Sequence, residues 1–345
     1  MTSNLPPLMT TGIGSLPMTD ADEAAAFVLD EADLSIPFWP QLPRRGFREH
    51  MVPQYAAGLP CVGIDPDAGR IWFDPAGKYE KLEPFYEAYL GEDPAAFALS
   101  EEAAAGLAAF RRHAEGRRWP LVKGQVTGPL TLAMGVPDAN KSPLYADADL
   151  RDAAVKLLAR CAQWQIGVLR PLASEAVLIF VDEPLLAAYA SSAYVGISES
   201  DVRTLVGEVF EAIAQAGGLS GIHVCGNSDW GVVLSTGVMV LNFDAWQYGP
   251  SVALYPEQVS ELFDRGGRIA WGIVPTTAAI ADATIDGLAR RMEECFSALA
   301  AKGLGRDRVL AHSMLTPSCG AGSLSPDEAA KVFRLLAELR GRLTG

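Results

Sequence analysis

A histidine and two cysteines carry the most chemistry in this sequence. Residues 221–227 read GIHVCGN, so His223 and Cys225 form an H-x-C pair, and Cys319 follows in TPSCG near the C-terminus. In a β-strand, residues two apart project from one face, which sets the imidazole and the first thiol side by side. A second thiol, in a Gly/Pro-rich strand exit, completes a donor set that suits zinc. Three protein ligands would leave one coordination position open for reaction. Asp244 ends the next predicted strand. It is either a fourth ligand or an acid that orients the metal-bound histidine. Cys61, Cys161 and Cys295 fall in a hairpin or on helix faces and read as packing or surface thiols.

Other polar residues gather near the predicted strand ends. Asp182 and Glu183, in FVDEP, follow an unbroken apolar run. A carboxylate there either holds an ammonium group, acts as a general base, or sits at a helix N-terminus. The TGIGS turn, residues 11–15, offers backbone N–H groups to an anion. His50, His113 and His312 are lone histidines and read as structural or exposed. Trp39, Trp230, Trp246 and Tyr248 read either as walls of a site or as core lids. No dinucleotide or nucleotide phosphate loop is present.

Eight apolar, β-branched-rich segments would have to position these groups: 10–15, 34–39, 121–126, 177–182, 221–225, 238–244, 268–274 and 308–315. Amphipathic segments lie between most of them, at 20–31, 101–115, 149–172, 199–216, 256–265 and 284–302, and 326–343 closes the chain. Strand–helix alternation predicts an α/β fold with a parallel sheet, and eight repeats predict a single TIM (β/α)8 barrel domain over residues 1–345. A doubly wound open sheet is the competing topology. LPCVGIDPDAGRIWF, residues 59–73, breaks the alternation and reads as an inserted β-hairpin. In a barrel the polar residues at the strand ends share the C-terminal mouth, where such folds carry their chemistry.

Composition narrows the partners. The chain has 28 basic against 42 acidic residues and a net charge of −14, which argues against nucleic acid held through its phosphates. Hydrophobic residues make up 49%, enough for a large core, yet no apolar run is long enough to span a bilayer. The opening residues show no secretory signal, and five widely spaced cysteines do not form a disulfide framework. A reducing cytoplasm is the expected location.

With GSLP, VKGQVTGP, FVDEP, HVC, WGIVPT and TPSCG in this order, the chain resembles the cobalamin-independent methionine synthase family from about residue 10 to residue 343. It is similar above all to the short, single-barrel members of the uroporphyrinogen decarboxylase/methionine synthase-like superfamily. The resemblance implies a TIM barrel that transfers a methyl group to the thiol of homocysteine on zinc, making methionine. It implies His223, Cys225 and Cys319 as the zinc ligands, with Asp244 where the family usually has a Glu. Asp182 then matches the acid that holds the homocysteine amino group, and Ile13, Gly14 and Ser15 match the backbone that receives its carboxylate. Glu49, in FREHMV, is a displaced candidate for a further substrate-binding acid, with Phe47 in the expected place.

Two departures bear on the methyl donor. Full-length family members carry a second, N-terminal half that helps bind a folate donor, and these residues hold no counterpart of it. The family also has a histidine after strand seven that helps protonate the leaving folate nitrogen, whereas WGIVPTT has no such proton donor. A methylated corrinoid releases its cobalt without a proton. The expected donor is therefore methylcobalamin or a methylated corrinoid protein. Methyl-tetrahydrofolate as donor and coenzyme M as acceptor are alternatives within the same chemistry. A metal-free tetrapyrrole decarboxylase using Arg44, Arg45 and Arg48, or a non-catalytic corrinoid-binding barrel, are alternatives outside it.

Overall fold

The computed structural model describes residues 5–187 and 196–345. Its main sheet contains β1 (Met9–Thr10), β4 (Trp119–Thr127), β5 (Ala173–Asp182), β6 (Leu219–Val224), β7 (Val240–Phe243), β8 (Arg268–Val274) and β9 (Ser313–Pro317). The hydrogen-bonded order is β1-β9-β8-β7-β6-β5-β4, and every adjacent pair is parallel. From β4 to β9 this order follows the chain without the reversal that a doubly wound sheet requires. The molecule is thus an α/β fold in which a curled, seven-stranded parallel sheet is flanked by helices.

The two edges of that sheet are bridged by residues 36–41. Ile36 N–H donates to Thr10 O (3.0 Å) and Gln41 N–H to Gly14 O (2.9 Å), while Lys123 N–H donates to Pro37 O (2.8 Å) and Trp39 N–H to Lys123 O (3.3 Å). The strand expected at 34–39 is present only as isolated bridges, Phe38 to Lys123 and Ser15 to Gln41. Pro37 and Pro40 explain this, because neither can donate to a ladder. The segment at 308–315 also differs from expectation. Arg306–Ala311 is helical and the strand starts only at Ser313. Helix Lys78–Leu90, with Pro84 inside it, has no counterpart among the expected helices. The hairpin forms as expected, Val62–Asp65 (β2) pairing antiparallel with Arg70–Phe73 (β3).

Two separate apolar clusters follow from strand alternation. The outward-facing residues pack against the helices in the larger one. Inward-facing residues, among them Ile36, Leu121, Leu178, Phe180, Val240 and Met314, form a second cluster inside the curl. Further along the same strands the inward positions become polar. Asp182, His223 and Asn242 are paired neighbours across β5, β6 and β7, so one row of side chains at the C-terminal ends carries all three. Ligands in α/β sheets bind at this end of the strands. Among the described residues, no helix is long and apolar enough to cross a membrane.

Candidate metal centre

His223 lies near the end of β6, Cys225 one residue beyond it, and Cys319 two residues beyond β9. The ligand atoms of the three side chains all lie within 4.8 Å of one another. Asn242 on β7 decides the state of the imidazole. Its amide nitrogen donates to Ala270 O and to Thr316 Oγ1, both at 2.7 Å, which turns its oxygen toward His223 Nδ1 at 2.5 Å. Nδ1 must therefore carry a proton, so in the neutral imidazole the lone pair is on Nε2. That Nε2 is buried and has no hydrogen-bond partner. A buried polar atom with no partner is costly, and coordination of a metal ion would satisfy it.

The two thiols do not titrate alike. The Cys225 S–H and the His223 imidazole beside Cys319 hold its thiol down at about 4. Cys225 is pushed far up by its bond to Cys319 and by burial. Burial alone would lower His223, but the Cys319 thiolate and the Asp182 carboxylate raise it above its usual value. Metal binding would release the Cys225 proton.

Asp244 stands apart from the three converging atoms. It caps the short helix Ala245–Tyr248, its two oxygens accepting from Gln247 N–H (3.0 Å) and Gln247 Nε2 (2.7 Å). The histidine-orienting role expected of it belongs to Asn242, two residues earlier on the same inward face. The N-F-D string held that signal, since alternate strand residues share a face. Asn242→Ala is expected to weaken metal binding about 10- to 100-fold, read by competition with a chromophoric chelator. Unchanged affinity would show that the imidazole needs no orienting partner.

Asp182 ends β5, and its Oδ1 is buried without a partner. Burial raises it to about 6, against the pull of Lys123. Lys123, which sequence reasoning passed over, is fully buried on β4 and is lowered to about 7 by burial, with Asp182 acting the other way. An inward-facing lysine in the middle of an apolar strand was the available signal. Glu183 is quite different from Asp182. Its carboxylate accepts from Leu130 N–H (3.0 Å), Thr131 N–H (2.7 Å) and the Thr131 hydroxyl, at the N-terminus of helix Pro129–Met134. A side chain at Gly128 would overlap that carboxylate. Glu183→Gln offers one oxygen where two accepted, and is expected to cost about 1–3 kcal/mol of stability in a urea titration.

The 13–15 turn abuts the Cys319 loop. Ala321 N–H donates to Ser15 O (2.9 Å) and Gly322 N–H to Ser15 Oγ (3.3 Å). Arg44 reinforces the same loop through the carbonyls of Gly322, Ser323 and Leu324. Glu49 is buried, but its two oxygens accept from Arg45 Nε (2.6 Å) and Leu42 N–H (3.3 Å), so it holds its own segment together. Phe47 is half-buried and its ring lies 5.5 Å from that of His50.

Several other expectations resolve as packing. Trp39 and Trp230 are fully buried in the outer core, donating to Gln165 Oε1 and Ser251 Oγ, and do not wall the site. The Trp246 ring is covered by the Arg291 guanidinium at 3.9 Å, and Tyr248 is exposed. His312 precedes β9, bonds Gly267 O and stacks on Phe263, far along the strand from Cys319. His50 bonds Pro43 O and His113 pairs with Asp22. Cys161 and Cys295 are buried, burial pushing both thiols up to about 12, and Cys61 sits half-buried before β2.

Comparison with protein-family models gives no match, and comparison with curated proteins gives none either. Among solved structures, a methyltransferase from Methanosarcina mazei is similar over 99% of this chain and 95% of that one, with a TM-score of 0.60 and 14% identity. The two chains share a fold. A 3-keto-D-glucoside 4-epimerase from E. coli matches over 69% of this chain and 85% of that one, at 12% identity and a TM-score of 0.35, too low to carry weight. The shared fold spans nearly the whole of both chains in the first case.

Proposed function

We propose that this protein is a zinc-dependent methyltransferase that transfers a methyl group to the thiol of homocysteine, giving methionine. The observation that carries this reading is the convergence of His223 Nε2, Cys225 Sγ and Cys319 Sγ, with the Nε2 lone pair set by Asn242 and otherwise unpartnered. We read the fold as an eight-stranded barrel in which residues 36–41 take the place of the second strand. Zinc at these ligands would supply the Lewis acidity that keeps an acceptor thiol as thiolate at neutral pH.

The chain's own residues supply position. Asp182, with a free buried oxygen, suits the ammonium group of an amino-acid thiol. A sulfonate thiol such as coenzyme M would leave that oxygen unused. The 13–15 backbone lies beside the Cys319 loop and suits the carboxylate end. Fixing both ends aligns the sulfur with an incoming methyl group. After β8 the chain runs Pro275, Thr276 and Thr277, and Thr276 is bonded to Ser318. No acid stands there to protonate a folate nitrogen, which favours methylcobalamin or a methylated corrinoid protein as donor. Arg44 and Arg45 are engaged with loop carbonyls and Glu49, and Arg48 pairs with the exposed Glu102, which weighs against their serving a tetrapyrrole decarboxylase. Free thiols at the centre suit a reducing, cytoplasmic location.

The test is metal content together with methyl transfer to homocysteine from methylcobalamin and from methyl-tetrahydrofolate, on one purified sample. One zinc per chain with methionine formed from methylcobalamin alone supports the reading. Zinc with the folate reaction overturns the donor assignment. No zinc and no methionine from either donor overturns the function.

A further inference from the structure

Lys123 is the charged residue that the proposed chemistry leaves unused. It is fully buried in the middle of β4, with its Nζ 4.6 Å from the centre of the Phe180 ring. Its ammonium donates to Ile13 O at 2.5 Å and to Gln125 Oε1 at 3.1 Å. Gln125 is itself held, its Nε2 donating to Trp39 O at 3.1 Å. No carboxylate among the described residues forms a direct ion pair with Lys123, although Asp182 on the adjacent strand is close enough to influence it. Burying an ammonium without an ion partner is unfavourable, and an apolar residue of the same length would avoid that cost.

The contact with Ile13 has a geometric consequence. A trans peptide points its N–H opposite to its C=O. Holding the Ile13 carbonyl therefore directs the Gly14 N–H away from Lys123, in the turn that packs against the Cys319 loop. A cation on the carbonyl also polarises the amide and strengthens its N–H as a donor. Among the described residues, none accepts a hydrogen bond from the Gly14 or Ser15 N–H.

We infer that Lys123 is a positioning residue for the carboxylate of an amino-acid ligand, acting through the Ile13–Gly14 peptide that it grips. This rests on the amino-acid reading proposed above and names the group that makes the turn a carboxylate receiver. Two ligands that differ only in the carboxylate test it: L-methionine and 3-(methylthio)propylamine. Binding of each is measured by calorimetry to the zinc-loaded full chain, which separates the question from turnover.

Wild type is expected to bind methionine at least about tenfold more tightly than the amine. Lys123→Met should lose that preference, methionine weakening about tenfold while the amine and the zinc content stay unchanged. Lys123→Gln, which keeps a donor for Ile13 O without the charge, should fall between them and serves if Lys123→Met does not fold. A purely structural lysine would weaken both ligands alike, which overturns the inference. Full preference retained in the variants also overturns it, while methyl transfer by wild type keeps the proposed function standing. Wild type that binds neither ligand and transfers no methyl group overturns both.

Discussion

Cys319→Ser is expected to leave a folded chain that no longer retains zinc and whose methyl transfer to homocysteine falls at least about a thousandfold. The reason lies in ionisation. Cys319 is the thiol that this site already favours as thiolate, with the Cys225 S–H and His223 turned toward it. A serine hydroxyl in its place does not ionise near neutral pH, so the metal would lose a charged ligand and keep only one thiol. The fold should survive, because Cys319 is half-buried on a loop that Arg44 holds through three neighbouring carbonyls. Metal analysis and thermal melting on the same preparation check both halves. Cys161→Ser, remote from the centre in helix Ala148–Leu169, should leave zinc content unchanged. Full zinc and full activity in Cys319→Ser would refute the assignment of this residue.

Asp182→Asn should have the second largest effect, on substrate rather than on metal. Truncating one partner of a buried charge pair costs about 2–5 kcal/mol, or roughly 30- to several-thousand-fold in kcat/KM for homocysteine. Zinc content should not change. The pH profile adds a signature. Burial raises Asp182 to about 6, offset in part by Lys123, and the carboxylate must be ionised to hold an ammonium group. In wild type, kcat/KM should therefore fall about tenfold per pH unit below 6. In Asp182→Asn that acid limb should vanish, leaving a low and flatter profile. An unchanged limb in the variant would assign it to another group. Unchanged kcat/KM at neutral pH would remove Asp182 from substrate binding altogether.

Much of the centre is legible in the sequence, because it depends on local rules. H-x-C on a strand puts two donors on one face, and FVDEP puts a carboxylate at a strand exit. Alternation of strand and helix implies a parallel sheet with its polar residues at one end. The hairpin at 59–73 follows from its turn. What goes astray depends on which backbone and side-chain groups are already engaged, whether by near neighbours or by partners distant in sequence. Pro37 and Pro40 weaken a strand that composition favours. Glu183 reads in part as an acid at the start of its own helix, but it caps helix Pro129–Met134 instead. Glu49 is a candidate substrate ligand by sequence, yet both of its oxygens hold Arg45 and Leu42. Asp244 is expected to ligate the metal or orient the histidine; Asn242 holds the histidine instead, and Asp244 accepts from Gln247 through both oxygens.

By itself, the sequence determined the α/β class and the placement of a histidine, two thiols and a carboxylate at strand exits. These follow from residue chemistry and from periodicities that span only a few residues. Tertiary structure alone decided that Cys319 meets His223 and Cys225, that Asn242 rather than Asp244 holds the imidazole, and that Lys123 grips Ile13 inside the sheet. Each of those contacts joins segments separated by intervening strands or helices. Their geometry is fixed by parallel register and by which side-chain atoms are already hydrogen-bonded, and neither quantity can be read along a single chain.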